Sequence, residues 1–385
     1  MKLVFVNYTT EKFSPAGGGS VSTYLWQMCR AAKKSGVEPW VVSCRHDRPP
    51  YAWPRTIYVD PPALPSSRPG LWMRRAQRKL SRWPHIQHRV YADRVGDALA
   101  SAGLSDACII FQTDPEMAIH LRPRFPGAFI AVMFHNFHAM KPRFPGRLCE
   151  SANVTCAVSA KLAGWIESQY GLPADSAVAI HNGIDLESFQ PSAQAERVAN
   201  GRILVNFSGR ISDFKGPDLL LEAAISIARE RNDFDLQFLG WQETPNPGTE
   251  FEGKMRKLAS ELEQRGVGIR KGGFVPRERM PSELRKAQVH VTPSRCEESF
   301  GLVTLEAMAC GLATIASRTG GTPELVVDAG FLFDRDDAGQ LAGHLRRLIS
   351  DASLRGDYAA RALSRAQEFT WDKSWQKLFH TVRGD

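Results

Sequence analysis

Short apolar runs rich in Val, Ile and Phe alternate with amphipathic helical patterns along almost the whole chain. Such alternation is typical of βαβ units, whose parallel strands are buried on both faces by helices. A first series of strands is predicted at residues 3–7, 39–43, 57–59, 108–111, 129–134 and 154–158. The pattern restarts with strands predicted at 202–208, 235–239, 268–271, 289–292 and 313–316, and with helices that include 219–230 and 252–265. The fold class is therefore α/β.

A polar segment that contains Pro191 and Gly201 separates the two series and has the composition of a linker. A length of 385 residues also suits two domains of about 100 to 200 residues each. We predict one domain at residues 1–182 and a second at 183–368. The last residues, 369–385, show apolar positions at helical spacing and suit docking on either domain.

Composition describes a soluble globular protein: 43% of residues are hydrophobic and 23% are charged, which is too apolar for a disordered chain. The seven cysteines are scattered and never form C-x-x-C, which argues against disulfides or a zinc site and favours a reducing cytoplasm. The N-terminus lacks the apolar core of a signal peptide, and no run reaches the roughly 18 to 20 apolar residues of a spanning helix.

The first strand leads into a loop, TTEKFSPAGGGS, and then into an amphipathic helix. Gly17, Gly18 and Gly19 let the backbone approach a ligand, and the helix N-terminus favours an anion such as phosphate. The loop is not G-x-G-x-x-G, and no acidic residue follows at the distance that would hold a ribose. A tight turn that only packs the helix on the strand is the alternative.

The second series opens with SGRISDFKGP, where Gly209, Arg210 and Lys215 follow a strand and Pro217 suits the first turn of a helix. An Arg fork and a Lys point charge that converge suit a diphosphate. The alternative is that both cations are solvated loop charges.

Further along, Glu298 follows the strand that ends at Thr292, and Glu306 comes eight positions later on a helix stopped by Gly311. Carboxylates accept hydrogen bonds from the hydroxyl groups of a sugar or ribose. Another glycine loop, with Gly320 and Gly321, precedes the next helix start and supplies more backbone amides. Taken singly, Glu306 also suits an exposed helical acid.

These motifs occur in a recognisable order: GGG-S-x-x-x-Y, HNGID-x-x-x-F-x-P, SGR-x-x-x-x-KG, E-S-F-G-L-V-T-L-E-A-M-A-C-G and TGG-x-P-E-L-V. In this the chain closely resembles the retaining nucleotide-sugar glycosyltransferases of family four. The resemblance is strong over 178–333 and weak over 48–107. It implies the GT-B fold, two Rossmann-like domains that face each other across a cleft, with the helix at 369–385 joined to the first domain.

The resemblance also implies roles for individual residues. Arg210 and Lys215 match the pair that binds the donor diphosphate, Glu306 the acid that holds the ribose, and Glu298 the acid near the donor sugar. His135 ends the strand FIAVMFH, where many relatives carry a His that faces the reacting sugar; a strand-end histidine without a role is the alternative, and His138 lies close by. The remaining donor-binding positions implied are Gly17, Gly18, Gly19, Gly209, Ser299, Phe300, Gly301, Leu302, Gly320 and Gly321.

The expected reaction moves a hexosyl unit, from a UDP-sugar first and GDP-mannose next, to an acceptor hydroxyl in polysaccharide, glycolipid or glycoconjugate synthesis. Departure of the diphosphate gives the sugar oxocarbenium character, and the two cations would stabilise the leaving group. No carboxylate nucleophile is evident, so the leaving phosphate is expected to help deprotonate the acceptor. We expect no metal and no cofactor, and interpret Asp334-Arg335-Asp336 as a helix-capping cluster.

Net charge bears on the acceptor and on the alternatives. The chain carries a formal charge of +8, and residues 71–94 hold much of it within a basic amphipathic pattern, which is typical of segments that rest on anionic membranes. We therefore expect a cytoplasmic enzyme with a carbohydrate or lipid-linked acceptor, and our hypothesis for the basic segment is peripheral attachment to the inner face of the membrane. The alternative for this segment is a solvated face or a soluble anionic acceptor. Alternatives are a soluble transferase with a small-molecule acceptor, another sugar-nucleotide enzyme such as an epimerase, and a nucleic-acid-binding protein, for which interleaved basic and aromatic residues are missing.

Overall fold

The computed structural model describes residues 1–8, 11–15, 19–60, 86–137, 146–191, 201–241 and 249–384. The chain divides into two compact units. Unit 1 comprises Met1–His181 and Trp371–Asp385, and unit 2 comprises Asn182–Thr370. Each unit contains its own parallel sheet, as the restart of the hydrophobic pattern predicts, and the α/β fold class is confirmed.

Unit 1 is built on a seven-stranded sheet of order β3-β2-β1-β4-β5-β6-β7, and each of its strand pairs is parallel. Its strands are β1 Leu3–Val6, β2 Trp40–Cys44, β3 Thr56–Val59, β4 Cys108–Gln112, β5 Phe129–Phe134, β6 Val154–Ala157 and β7 Ala177–Ala179. The strand order reverses between β1 and β4, which makes this place a topological switch point. The sequence analysis did not predict β7, because three half-buried residues, two of them Ala, give no strand signal.

Helices cover this sheet: α1 Ser20–Lys34, α2 Ile86–Ser101, α3 Pro115–Leu121, α4 Arg147–Ser151, α5 Ala160–Tyr170 and, from the end of the chain, α13 Trp371–Arg383. Helix α13 packs against α1. The Trp375 indole Nε1 donates to Ser35 Oγ at 2.7 Å, and the Trp371 ring meets Tyr24 edge-on at 5.9 Å. Two large aromatic side chains therefore join the end of the chain to unit 1, where each fully buried one stabilises by about 1.5 to 3 kcal/mol.

Unit 2 repeats the plan with a six-stranded sheet of order β10-β9-β8-β11-β12-β13, again with parallel pairs. Its strands are β8 Ile203–Ser208, β9 Phe234–Leu239, β10 Gly268–Gly273, β11 Val289–Thr292, β12 Ala313–Ser317 and β13 Phe331–Phe333. Strand order reverses here between β8 and β11. The two units therefore share the doubly wound topology in which ligands bind beyond the carboxyl ends of the strands at that point.

The helices of unit 2 are α6 Pro217–Ala228, α7 Glu250–Gln264, α8 Met280–Leu284, α9 Leu302–Ala309, α10 Thr322–Val326, α11 Ala338–Ser350 and α12 Ala352–Ala366. Local sequence sets where they begin. Pro217 occupies the first turn of α6, and Thr249 forms a capping box with Glu252 at the start of α7. The apolar faces of α6, α7 and α11 close one continuous core against the sheet.

The acidic cluster before α11 corrects one prediction. The residue that caps this helix is Asp337, whose carboxylate accepts from the backbone N–H of Gln340 at 2.8 Å. Asp334 and Asp336, which precede it, instead pair with arginine side chains that belong to neighbouring loops. The prediction that Asp334-Arg335-Asp336 caps this helix is therefore wrong: the cap is the next residue, Asp337.

Two other predictions concern the surface. Most of the basic segment, residues 71–85, lies outside the described residues, whereas Arg89 and Arg94 lie on α2. Among the described helices, none combines the length and apolarity needed to cross a membrane.

Candidate functional site

The switch point of unit 2 brings together the loops that follow β8 and β11. Gly209 and Arg210 follow β8, and Glu298 lies in the loop after β11. The two loops touch through the turn Asp213–Lys215: the Arg295 backbone N–H donates to the carbonyl of Phe214 at 2.9 Å. Polar groups from two strands separated in sequence therefore meet at one edge of the sheet.

Gly216 makes this approach possible. Its φ of 64° lies in the left-handed region, and a Cβ there would stand 2.0 Å from the carbonyl oxygen of Pro293. Because that atom belongs to the backbone, no side-chain rotation relieves the clash. The K-G pair of the motif thus has a steric reason: Lys215 reaches the β11 loop because the next residue has no side chain.

Lys215 and Glu298 form an ion pair in which Nζ lies 2.6 Å from Oε1. Both side chains are mostly buried, with exposures of 25% and 12%. The hydroxyl of Ser294 donates to the same carboxylate oxygen. The sequence analysis predicted roles for Lys215 and Glu298 separately, and the structure joins them directly.

Arg210 differs from Lys215 in its surroundings. It is exposed, and its guanidinium lies 5.7 Å from the centroid of the half-exposed Phe214 ring. Within the described part of the chain, no carboxylate pairs with Arg210. Its charge is therefore available to an external anion beside the Lys215 turn.

Glu306 lies in the helix α9 that begins directly after the Glu298 loop. It is 4% exposed, and Arg277 Nη1 donates to its Oε1 at 2.7 Å. Burial raises the pKa of the Glu306 carboxyl, and the adjacent Arg277 opposes that rise without cancelling it. Sequence reasoning missed Arg277, since it lies on a short turn, Arg277–Arg279, that carries no periodic signal.

The glycine loop after β12 packs directly on Glu298. Gly320 has a φ of 52°, and a Cβ there would lie 2.0 Å from the carbonyl oxygen of Glu298. The Gly321 amide donates to that oxygen at 2.7 Å, and the Gly320 amide donates to Glu297 Oε2 at 2.5 Å. Both predicted amides therefore hold the β11 loop in this structure.

The residues between the two glutamates start helix α9. Gly301, with a φ of 98°, is its N-cap and Leu302 its first residue. Phe300 is buried and meets Phe369 edge-on at 5.6 Å, whereas Ser299 is half-buried in the loop. The backbone from Ser299 to Gly301 is thereby fixed by an aromatic anchor.

A buried polar network supports the site from beneath. The Nδ1–H of His290, on β11, donates to Asn206 Oδ1 at 2.8 Å, and its Nε2 accepts from Thr292 Oγ1 at 3.0 Å. Thr292 is bonded in turn to Thr304 of α9 at 2.8 Å. Burial lowers the pKa of His290 to about 3, so this ring is neutral at pH 7. The network fixes α9 on the central strands.

Predicted residues of unit 1 lie at the carboxyl end of its own sheet. His135 directly follows β5, is 6% exposed, and has Nε2 2.8 Å from Gln112 Oε1. Burial lowers the pKa of His135 to about 3. The Tyr24 ring meets it edge-on at 4.6 Å. His135 is therefore a neutral, oriented imidazole.

The early glycine loop is only partly described, because Gly17 and Gly18 lie outside the described residues. The other histidine candidate, His138, lies outside them as well. The Gly19 amide donates to Glu11 Oε1 at 2.5 Å. Burial raises the pKa of the Glu11 carboxyl against the lowering effect of the Gly19 and Ser22 amides. An internal carboxylate thus stands at the N-terminus of α1, where the sequence predicts a ligand anion.

A second, partly buried histidine of unit 1 was not predicted. His88, on α2, lies with Nε2 2.7 Å from Oδ2 of Asp114, which follows β4. Burial alone would lower the pKa of His88, but the hydrogen bond and charge of Asp114 outweigh it and raise that pKa. No group of three or more His, Cys, Asp or Glu side chains that could hold a metal occurs in the described parts of either unit.

Comparison with known proteins adds a family and a fold. The family described as Glycosyl transferases group 1 matches residues 189–365. D-inositol 3-phosphate glycosyltransferases of Frankia alni and Acidothermus cellulolyticus are 31% and 32% identical over 63% and 62% of this chain. The chain spans 63% and 56% of the length of these two relatives.

Solved structures of other proteins are similar in fold to this chain over its whole length. Sucrose-phosphate synthase from Thermosynechococcus elongatus has a TM-score of 0.75 at 19% identity, with 100% of this chain and 99% of that one covered. Anabaena HepE in complex with UDP has a TM-score of 0.74 at 18% identity, with both chains fully covered (100% each). At these identities the likeness shows the fold. Residues 189–365 thus match the glycosyl transferases group 1 family, and the chain as a whole resembles the GT-B glycosyltransferases of family four.

Proposed function

We propose that the protein is a glycosyltransferase that moves a hexosyl unit from a nucleotide diphosphate sugar to an acceptor hydroxyl with retention of configuration. The observation that carries this proposal is the Lys215–Glu298 pair beside the exposed Arg210 at the switch point of unit 2. Cations with few protein partners suit a diphosphate at the place where such sheets bind ligands. Unit 2 is accordingly the donor domain, and unit 1 the acceptor side.

Lys215 and Arg210 would stabilise the departing diphosphate. The charge of Lys215 is balanced by Glu298, and a bound diphosphate can take the place of that carboxylate. As the bond from the anomeric carbon to the phosphate oxygen breaks, its electron pair moves to the diphosphate and both cations interact more strongly. Loss of one such donor costs on the order of 3 to 4 kcal/mol, by analogy with oxyanion-hole deletions.

Other residues orient the donor. Glu306 would accept hydrogen bonds from the ribose hydroxyls. Glu298, released from Lys215 when the diphosphate binds, would accept hydrogen bonds from the sugar hydroxyls. His135 would face the reacting sugar as a neutral imidazole, because its buried environment disfavours the charged form. The acceptor oxygen attacks on the face of the departing phosphate, and its proton passes to that phosphate. This path needs neither a metal nor a carboxylate nucleophile.

A UDP-sugar is our first candidate donor and GDP-mannose the second. Support for UDP comes from the fold neighbour HepE, whose structures are complexes with UDP and UDP-glucose. For the acceptor, a small phosphorylated polyol or sugar is favoured by the names of the relatives and neighbours, D-inositol 3-phosphate glycosyltransferase and sucrose-phosphate synthase. A lipid-linked acceptor met at the membrane through residues 71–94 stays a separate prediction.

The central experiment measures donor turnover and product mass with UDP-, GDP- and dTDP-sugars. Glu306→Ala and Lys215→Ala should each reduce kcat by about 100-fold or more. Lys257→Ala and Glu263→Ala, both on the exposed surface of α7, are matched controls and should retain full activity. Undiminished turnover in the two site variants would refute the proposal.

The membrane prediction is tested separately with vesicles that contain anionic lipid. A variant with Arg74, Arg75, Arg78 and Lys79 all changed to Ser should lose vesicle binding and keep donor turnover. Unchanged vesicle binding excludes a membrane role for this segment and favours the small soluble acceptor.

A further inference from the structure

The Arg277–Glu306 pair joins two parts of unit 2 that lie 29 residues apart in sequence. We infer that Arg277 is a positioning residue for the nucleoside: it orients the Glu306 carboxylate toward the ribose hydroxyls and offers a second N–H to a nucleoside oxygen. This inference rests on the proposed function, in which Glu306 holds the ribose. Nothing in the sequence motifs assigns a role to Arg277.

Two contacts hold the guanidinium of Arg277 in place. Nη1 donates to Glu306 Oε1 at 2.7 Å, and Cζ lies 5.5 Å from the centroid of the buried Phe189 ring. Nη2 is buried and has no hydrogen-bond partner among the described residues. A buried donor without a partner is costly in a folded protein, and a ligand oxygen removes that cost. The planar fork of Arg suits this double task, whereas Lys offers a single point charge.

Arg277 also controls the charge of Glu306. Burial raises the pKa of this carboxyl, and Arg277 is the residue that lowers it. Cys310, at the end of the same helix, also interacts with Glu306, but burial raises its own pKa to about 12, so the thiol is uncharged at pH 7. The charge of Arg285, the residue that follows α8, opposes this rise in the pKa of Cys310. Without Arg277, burial would act unopposed, and a protonated carboxyl would carry an O–H donor where the carboxylate only accepts from a ribose diol.

The test follows the dissociation constant of UDP-glucose by calorimetry between pH 6.0 and 8.5, with GDP-mannose and dTDP-glucose as further probes. Wild type should bind one of these donors with little dependence on pH. Arg277→Met should bind more weakly, and its dissociation constant should rise about ten-fold for each unit by which the pH falls below the elevated pKa of Glu306. Glu306→Gln, which cannot ionise, should bind weakly at every pH.

Two further variants separate this role from a structural one. Arg277→Lys keeps the positive charge without the planar guanidinium, so it should bind the donor weakly but without the steep pH dependence. This variant also replaces Arg277→Met in the test if Arg277→Met does not fold. Arg279→Met, on the same turn with its side chain 72% exposed, is the matched control and should match wild type.

The inference is wrong if Arg277→Met binds as wild type does, or if its affinity falls by one constant factor across the whole pH range. The proposed function fails in a different way: wild type would then bind none of the three donors, and the inference, which depends on it, would fail as well. Loss of binding in Glu306→Gln but not in either Arg277 variant refutes the role of Arg277 alone.

Discussion

Gly320→Ala tests whether the loop after β12 sets the position of Glu298. A methyl group at this position would lie 2.0 Å from the carbonyl oxygen and 2.7 Å from the amide nitrogen of Glu298, and the φ of 52° is itself unfavourable for Ala. The left-handed backbone costs about 1 to 2 kcal/mol, and overpacking against a fixed neighbour costs about 1 to 3 kcal/mol. We expect unit 2 to lose about 2 to 5 kcal/mol of unfolding free energy.

Activity should fall further than stability alone explains. Relief of the contact requires Glu298 to move by about 1 Å, and a misplacement of this size at a reacting centre costs about 100-fold in rate. Urea unfolding followed by tryptophan fluorescence gives the stability change, and donor turnover under native conditions gives the rate. Gly343→Ala is the matched control: it lies in α11 with no atom within 4 Å of the added Cβ, and should stabilise by about 0.5 to 1 kcal/mol. If Gly320→Ala leaves both the unfolding free energy and turnover unchanged, the loop does not position Glu298.

Three other predictions concern charge. Glu298→Gln should bind UDP about five-fold more tightly, because an ion pair worth about 1 kcal/mol no longer holds Lys215, and its turnover should fall. Weaker UDP binding, measured by calorimetry, would contradict the replacement of Glu298 by the diphosphate at Lys215. His88 has a raised pKa beside Asp114, so its stabilisation is complete below about pH 6.5 and lost as the pH rises through the folded-state value; the stability difference between wild type and His88→Gln should shrink from pH 6 to pH 8 in urea unfolding. His290 has a pKa lowered to about 3, so its own contribution to the loss of stability should be about 1.4 kcal/mol per pH unit below pH 6.5. His290→Gln should therefore show an acid limb flatter than that of wild type by this amount, and equal slopes would show that the ring is not buried neutral.

Most of the fold was predictable because the hydrophobic pattern is strong and local. The strand Val289–Thr292 is buried along its whole length and Phe129–Phe134 is buried except at Phe129, so their apolar runs and their bounds agree with prediction. Glycines and prolines also marked where helices begin and end, because their effect on the backbone is local. The loops after β8 and β11 could also be placed at one edge of a sheet, since parallel strands direct their carboxyl ends to the same side.

The pairings within the site could not be predicted. Lys215 and Glu298 are 83 residues apart, and Arg277 and Glu306 are 29 apart. No local periodicity encodes such contacts, because they depend on how strands are ordered in the sheet and on backbone approaches such as that of Gly216 to Pro293. A resemblance to a family assigns roles only to the positions that match the family's motifs. Arg277 lies outside these motifs and therefore received no role.

These pairings share one physical logic. Lys215 would be costly to bury alone, and Glu298 is its ionic partner in this structure. At the start of α1 the amide of Gly19 is likewise satisfied by Glu11. In both places a carboxylate of the chain stands where the proposed donor would bring negative charge or hydroxyl groups. On binding, the diphosphate replaces Glu298 as the partner of Lys215, and the released carboxylate accepts from the sugar hydroxyls. The site can therefore be held in place before the donor arrives. Preorganisation of this kind is what lets fixed cations stabilise a leaving diphosphate more than the intact donor.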